Sequence, residues 1–131
     1  MPPPNWFIAL PFPSASLPPG AMASLPPGAR PFDPADLHVT LAFLGAVGEA
    51  RALAAWACLE GATRPACRTH PGPRAALGSP RRPSALGLDL DAAPGDGALT
   101  RLVEEWRDRL RAAAGLAAED RAGRPHVTLA R

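Results

Sequence analysis

Lysine and tyrosine are both missing from this chain of 131 residues; all fourteen basic side chains are arginine. Without lysine there is no amine for a Schiff base or a lysine nucleophile, and without tyrosine no phenol for proton transfer. Cysteine is scarce as well: Cys58 and Cys67 are too few for a disulfide framework. Nor is there a long apolar run near the N-terminus. No charged residue precedes Arg30, and nine prolines interrupt residues 1–29. That pattern fits neither a secretory leader nor a spanning helix, which needs roughly 20 apolar residues in a row. The expectation is a soluble, cytoplasmic protein whose proton-transfer chemistry rests on His, Asp, Glu, Cys or Ser.

What remains is enough for one domain covering residues 1–131. Apolar residues make up 47% and charged residues 20%, so a packed core is within reach. The net charge of +2 is too small for a general nucleic-acid or membrane binder. Its distribution is uneven. Residues 61–90 carry Arg64, Arg68, Arg74, Arg81 and Arg82 against Asp89 alone. Such a stretch suits either a phosphate-rich partner or a solvated loop, and Arg81 and Arg82 read most simply as loop residues.

Periodicity predicts the order strand, strand, helix, strands, helix, strand, an α+β domain. Strands are expected at Asn5–Leu10, Leu37–Leu44, around Ala66–His70, at Ser84–Leu90 and within Arg124–Arg131. A helix over Glu49–Glu60 offers Leu53, Trp56, Ala57 and Leu59 for packing. The stronger helix runs from about Ala98 to Ala114, with Leu99, Leu102, Val103, Trp106, Leu110 and Ala113 on one stripe. Asp96 can cap its start, Glu105 and Arg109 form a pair four apart, and Gly115 suits its end. Ala-Ser-Leu-Pro-Pro-Gly-Ala occurs at 15–21 and again at 23–29, and its prolines make it a surface connection.

A second repeat carries chemistry. His38-Val39-Thr40-Leu41-Ala42 recurs as His126-Val127-Thr128-Leu129-Ala130. On a strand, residues two apart share a face, so each His stands beside its Thr while Val and Leu turn into the core. Taken singly, either histidine reads as a structural residue and either threonine as a strand former. As a matched pair on neighbouring strands, two imidazoles and two hydroxyls converge. One imidazole can take a proton from attacking water and the other can give one to a leaving oxygen. The hydroxyls can donate to phosphate oxygens where charge grows. A zinc site from Cys58, Cys67, His70 and a motif histidine matches no familiar spacing, so no metal and no cofactor is expected, and His70 is expected in a solvated loop. Trp56 and Trp106 are expected to pack; Trp6 and Phe43 are left open as surfaces for a base.

With Asp36 to Gly45 and Arg124 to Arg131 in view, together with Trp6-Phe7-Ile8-Ala9-Leu10-Pro11, the chain resembles the two-histidine (2H) phosphoesterases. Within them it is most similar to the LigT-like RNA 2′,3′-cyclic phosphodiesterases, also called 2′-5′ RNA ligases. The resemblance implies a bilobal fold of two pseudo-symmetric antiparallel sheets flanked by helices. It implies hydrolysis of a terminal 2′,3′-cyclic phosphate on RNA, or of a small cyclic nucleotide, to a 2′-phosphomonoester. It also implies His38 and His126 as acid and base in unassigned order, with Thr40, Thr128, Arg124 and Arg131 at the phosphate. Alternation puts Arg131 opposite His126, so its role there requires a bulge. Relatives continue for several tens of residues past the second motif, so the C-terminal strands of one lobe are expected to be missing. An exposed edge beside the last strand, open to pairing with a second chain, follows from that. The proline repeat stands where the family has its first helix. A non-catalytic module binding RNA ends or nucleotides is the alternative.

Overall fold

The computed structural model describes residues 2–63, 67–79 and 81–131. Its elements are β1 (Trp6–Pro11), β2 (His38–Gly45), α1 (Glu49–Ala57), β3 (Ala75–Ser79), β4 (Arg82–Asp89), α2 (Ala98–Ala113) and β5 (His126–Ala130). The strands form one antiparallel sheet in the order β1-β2-β5-β4-β3. Its two halves barely touch. β2 and β5 pair through Val39 and Val127 alone, so a β1–β2 ribbon and a β3–β4–β5 ribbon meet at a single register pair. The two expected sheets are these ribbons, fused at that seam.

One face of the sheet packs on both helices. Val127 and Leu129 of β5 are completely buried, as is Leu110 of α2. Alternation along each strand sends Val39 and Leu41, and Val127 and Leu129, into that shared core. In α2 the expected stripe is realised by Leu99, Val103, Trp106 and Leu110. The Asp96 carboxylate accepts from Ala98 N at 3.0 Å. Gly115, at φ +75°, turns the chain out of the helix, a conformation that favours glycine. Asp91 adds a contact that the sequence did not reveal. Its Oδ2 accepts from Thr100 N at 3.1 Å and from Thr100 Oγ1 at 2.6 Å.

Helix α1 departs from expectation. It stops at Ala57, and its buried residues are Ala52 and Ala55, whereas Leu53 and Trp56 are 54% and 57% exposed. Alanines let α1 lie close to its neighbours, and each large side chain sits one position, about 100° of turn, beyond a buried alanine. The short strand expected around Ala66–His70 lies instead at Ala75–Ser79; Ala66 itself is outside the described residues. His70 is not a solvated loop residue. Its backbone forms a bridge with Asp91, donating to Leu90 O at 2.6 Å and accepting from Ala92 N at 2.9 Å.

The edge expected beside the last strand is filled from within the chain. β5 lies inside the sheet, and where β2 leaves it, residues 30–32 take over. Phe32 N donates to Leu129 O at 2.8 Å, and Arg30 and Arg131 exchange backbone hydrogen bonds of 2.6 and 3.0 Å. The proline repeat delivers these residues. Arg74 pins it by donating to the carbonyls of Ala21, Ala23 and Ser24 at 3.2, 2.5 and 3.0 Å. Among the described residues, no helix is long and apolar enough to cross a membrane.

Candidate active site

The single pair between Val39 and Val127 fixes the relation of the two motifs. Continuing its antiparallel register by one residue each way sets His38 across from Thr128 and Thr40 across from His126. Val39 and Val127 are buried, while all four polar residues are half-buried on the other face. The two histidines occupy one diagonal of a square and the two threonines the other.

Each ring is oriented the same way. His38 Nδ1 donates to the Asp36 carbonyl at 2.8 Å, and His126 Nδ1 donates to the Arg124 carbonyl at 2.7 Å. A carbonyl only accepts, so the proton of the neutral ring sits on Nδ1 and the lone pair on Nε2. The residue between is anchored alike in both halves. Leu37 O accepts from Phe12 N at 2.8 Å, and Pro125 O accepts from Leu90 N at 2.9 Å. Leu37 and Pro125 are buried, so each motif enters its strand with the residue before the histidine turned into the core.

The flanks differ. Beside His38 the β1 ribbon supplies Phe7, whose ring stacks on the imidazole with centroids 5.2 Å apart and planes inclined by 30°. Ala9, two residues on along β1, pairs with Thr40 and carries only a methyl group. Beside His126 the register partner on β4 is Asp89, bound to Arg124 at 2.7 Å (Nε to Oδ1) and 3.3 Å (Nη2 to Oδ2). This hydrogen bond to Asp89 raises the Arg124 pKa above its ordinary value.

A cleft of about 630 Å³ opens at the divergence of β2 and β5, with Thr40, Phe43, Leu77, Arg107, Arg124 and His126 in its wall. Arg107 Nη1 donates to Arg121 O at 3.0 Å, and Arg111 donates to Phe43 O at 2.7 Å and Ala117 O at 3.1 Å. These arginines tie the 114–125 loop down as one wall. Phe43 is 52% exposed there, whereas Trp6 packs partly buried against the core. Trp106 is buried as expected; Trp56 is not a packing residue.

Of the six expected site residues, His126, Thr40 and Arg124 line this cleft; His38 and Thr128 flank Val39 and Val127 at the seam and are not in its wall. Thr128 lies opposite Gly87 of β4. Arg131 lines a separate depression with Ala130 and residues of β4, its guanidinium 5.7 Å from the Phe32 ring centroid. Two neighbours of the histidines escaped the sequence reading. Phe7 stood in the opening strand with nothing to tie it to the motif. Asp89 did leave a signal: alternation through Gly87-Leu88-Asp89 places a carboxylate on the motif face. Among the described residues, no three His, Cys, Asp or Glu side chains gather as a metal site.

No family model matches the chain, and no curated protein matches it. Solved structures do. A crystal structure of a phosphoesterase superposes with a TM-score of 0.64 at 25% identity, covering 98% of this chain and 73% of that one. E. coli LigT in apo form matches with a TM-score of 0.56 and 25% identity, over all of this chain and 73% of that one. E. coli LigT complexed with 3′-AMP matches at 0.50 and 26%, with the same coverage. The fold is thus that of a phosphoesterase. Within that class its architecture is similar to that of LigT, over 73% of the LigT chain.

Proposed function

We propose that the chain is a phosphoesterase that opens a terminal 2′,3′-cyclic phosphate on RNA to a 2′-phosphomonoester. One imidazole, neutral at Nε2, takes a proton from water as its oxygen attacks phosphorus. The other, protonated, gives its Nε2 proton to the 3′-oxygen as the P–O3′ bond breaks. Thr40 and Thr128 donate to the non-bridging oxygens, where negative charge builds up. The carrying observation is the matched anchoring of the two rings through Nδ1 on either side of one strand seam.

A nucleotide substrate is supported by the LigT neighbour complexed with 3′-AMP. It is also supported by the half-exposed faces of Phe7 and Phe43, register partners next to the motif, on which a base can stack. The test is an oligoribonucleotide ending in a 2′,3′-cyclic phosphate, incubated with the full chain in the presence of EDTA. The expected product is the 2′-phosphomonoester. Tight binding of that oligonucleotide without turnover would make the chain a binding module of the same fold.

A further inference from the structure

We propose that Arg124 is a positioning residue: its ion pair with Asp89 holds the Arg124 carbonyl against His126 Nδ1 and so keeps Nε2 of that ring turned to the cleft. The consequence for turnover rests on the phosphoesterase reading above; the consequence for the ring does not.

The two histidines use the same device, a carbonyl two residues upstream, but the carbonyls are held differently. Asp36 closes a short 3-10 turn, Pro34–Asp36, that is locally self-sufficient. Asp36 N donates to Asp33 O at 2.8 Å, and the Asp33 carboxylate accepts from Ala35 N at 2.9 Å. Phe12 N anchors Leu37 O on this side as Leu90 N anchors Pro125 O on the other, but the acceptor for His38 sits in its own turn and, among the described residues, is held by no long-range ion pair.

Arg124 has no such turn. It follows Gly123 at the end of a stretch, residues 116–125, without helix or strand. Its support comes from β4 instead. Leu90 N holds Pro125 O, and the Asp89 carboxylate takes both Nε and Nη2 of the guanidinium in a fork. Pro125 narrows the remaining freedom by fixing its own φ and biasing Arg124 toward extended backbone. Because Asp89 is also the register partner of His126, acceptor, ring and clamp are all referred to one strand. The same fork spends the charge of Arg124 on a carboxylate, which argues against the phosphate contact that the family resemblance implies for it.

The experiment follows both imidazoles by ¹⁵N–¹H NMR in the full chain and in Asp89→Asn, Arg124→Ala and the double variant. Kinetics on the cyclic-phosphate oligonucleotide run in parallel. In the parent both rings should show the Nδ1–H tautomer. Either single substitution should mix tautomers at His126 and leave His38 unchanged. The kcat should fall roughly fivefold, about the most an exposed ion pair ordinarily contributes, with KM unchanged and the double variant no worse than either single one. A His126 ring unaltered in Asp89→Asn would overturn the proposal. So would an Arg124→Ala variant that raises KM alone while Asp89→Asn binds as well or better, the signature of a direct phosphate ligand. Should Arg124→Ala fail to fold, the near-isosteric Asp89→Asn carries the test. Should the parent turn nothing over, the phosphoesterase reading fails while the tautomer readout still decides this one.

Discussion

Replacing His38 and His126 in turn by alanine separates chemistry from packing. Each ring is half-buried and makes one hydrogen bond to a backbone carbonyl. Its loss should cost about 0.5–1.5 kcal/mol of stability, the usual net value of such a bond. A positioned acid or base contributes about 10²–10⁴ in rate, or roughly 3–5 kcal/mol of barrier. Turnover should therefore collapse in variants that still melt cooperatively within a few degrees of the parent. The double variant should be little worse than the poorer single one, because the two groups act as a unit. Val127→Ala is the contrasting control. Its side chain is fully buried, and deleting two methyl groups with partial collapse should cost about 2–3 kcal/mol. That variant should melt earlier than either histidine variant yet keep more turnover per folded molecule. The assay is release of 2′-phosphomonoester across pH. The residual rate of the variant without the base should lose its acid limb, and that of the variant without the acid its alkaline limb, which assigns the roles. Full turnover in a folded His38→Ala or His126→Ala would refute two-histidine catalysis.

Two further outcomes test the scaffold. Thr100 Oγ1, bonded to Asp91, holds the Asp91 carboxyl below its ordinary pKa despite opposing burial, with smaller help from the Thr100 and Gly97 N–H groups and the charge of His70. A lowered folded-state value means the stabilisation is full above the unfolded value of about 3.9 and is lost as pH falls through the folded one. Asp91→Asn should accordingly melt lower than the parent at pH 7, with the gap closing in acid; a gap independent of pH would refute that linkage. A β-carbon on Gly87 would press on Val127 O and lie 2.6 Å from Leu77 Cδ1. Gly87→Ala should lose about 1–3 kcal/mol in urea unfolding, and a variant as stable as the parent would show that β4 and β5 can yield there.

Much of the fold was legible because its signals are local. Val39 and Leu41 alternate with His38 and Thr40, and the stripe Leu99, Val103, Trp106, Leu110 recurs at helical spacing. Both patterns depend only on the geometry of one element. The buried face of helix α1 is not legible in the same way, because Leu53 and Trp56 outweigh Ala52 and Ala55 in hydrophobicity. Which side of a helix is buried depends on how closely its neighbour approaches, and small residues permit the closer approach. The basic stretch is another case. Arg74 looked like loop charge until the structure placed it on three carbonyls of the proline repeat fifty residues earlier.

The sequence by itself determined that two identical strands each present a histidine and a threonine on one face, because a period of two is a property of the chain alone. Only the tertiary structure decided the rest. The seam at Val39 and Val127, residues 30–32 laid along β5, Phe7 leaning on His38 and Asp89 clamping Arg124 are all pairings between distant segments. Register between such segments is set by the packing of the whole core, and no single strand's sequence encodes it.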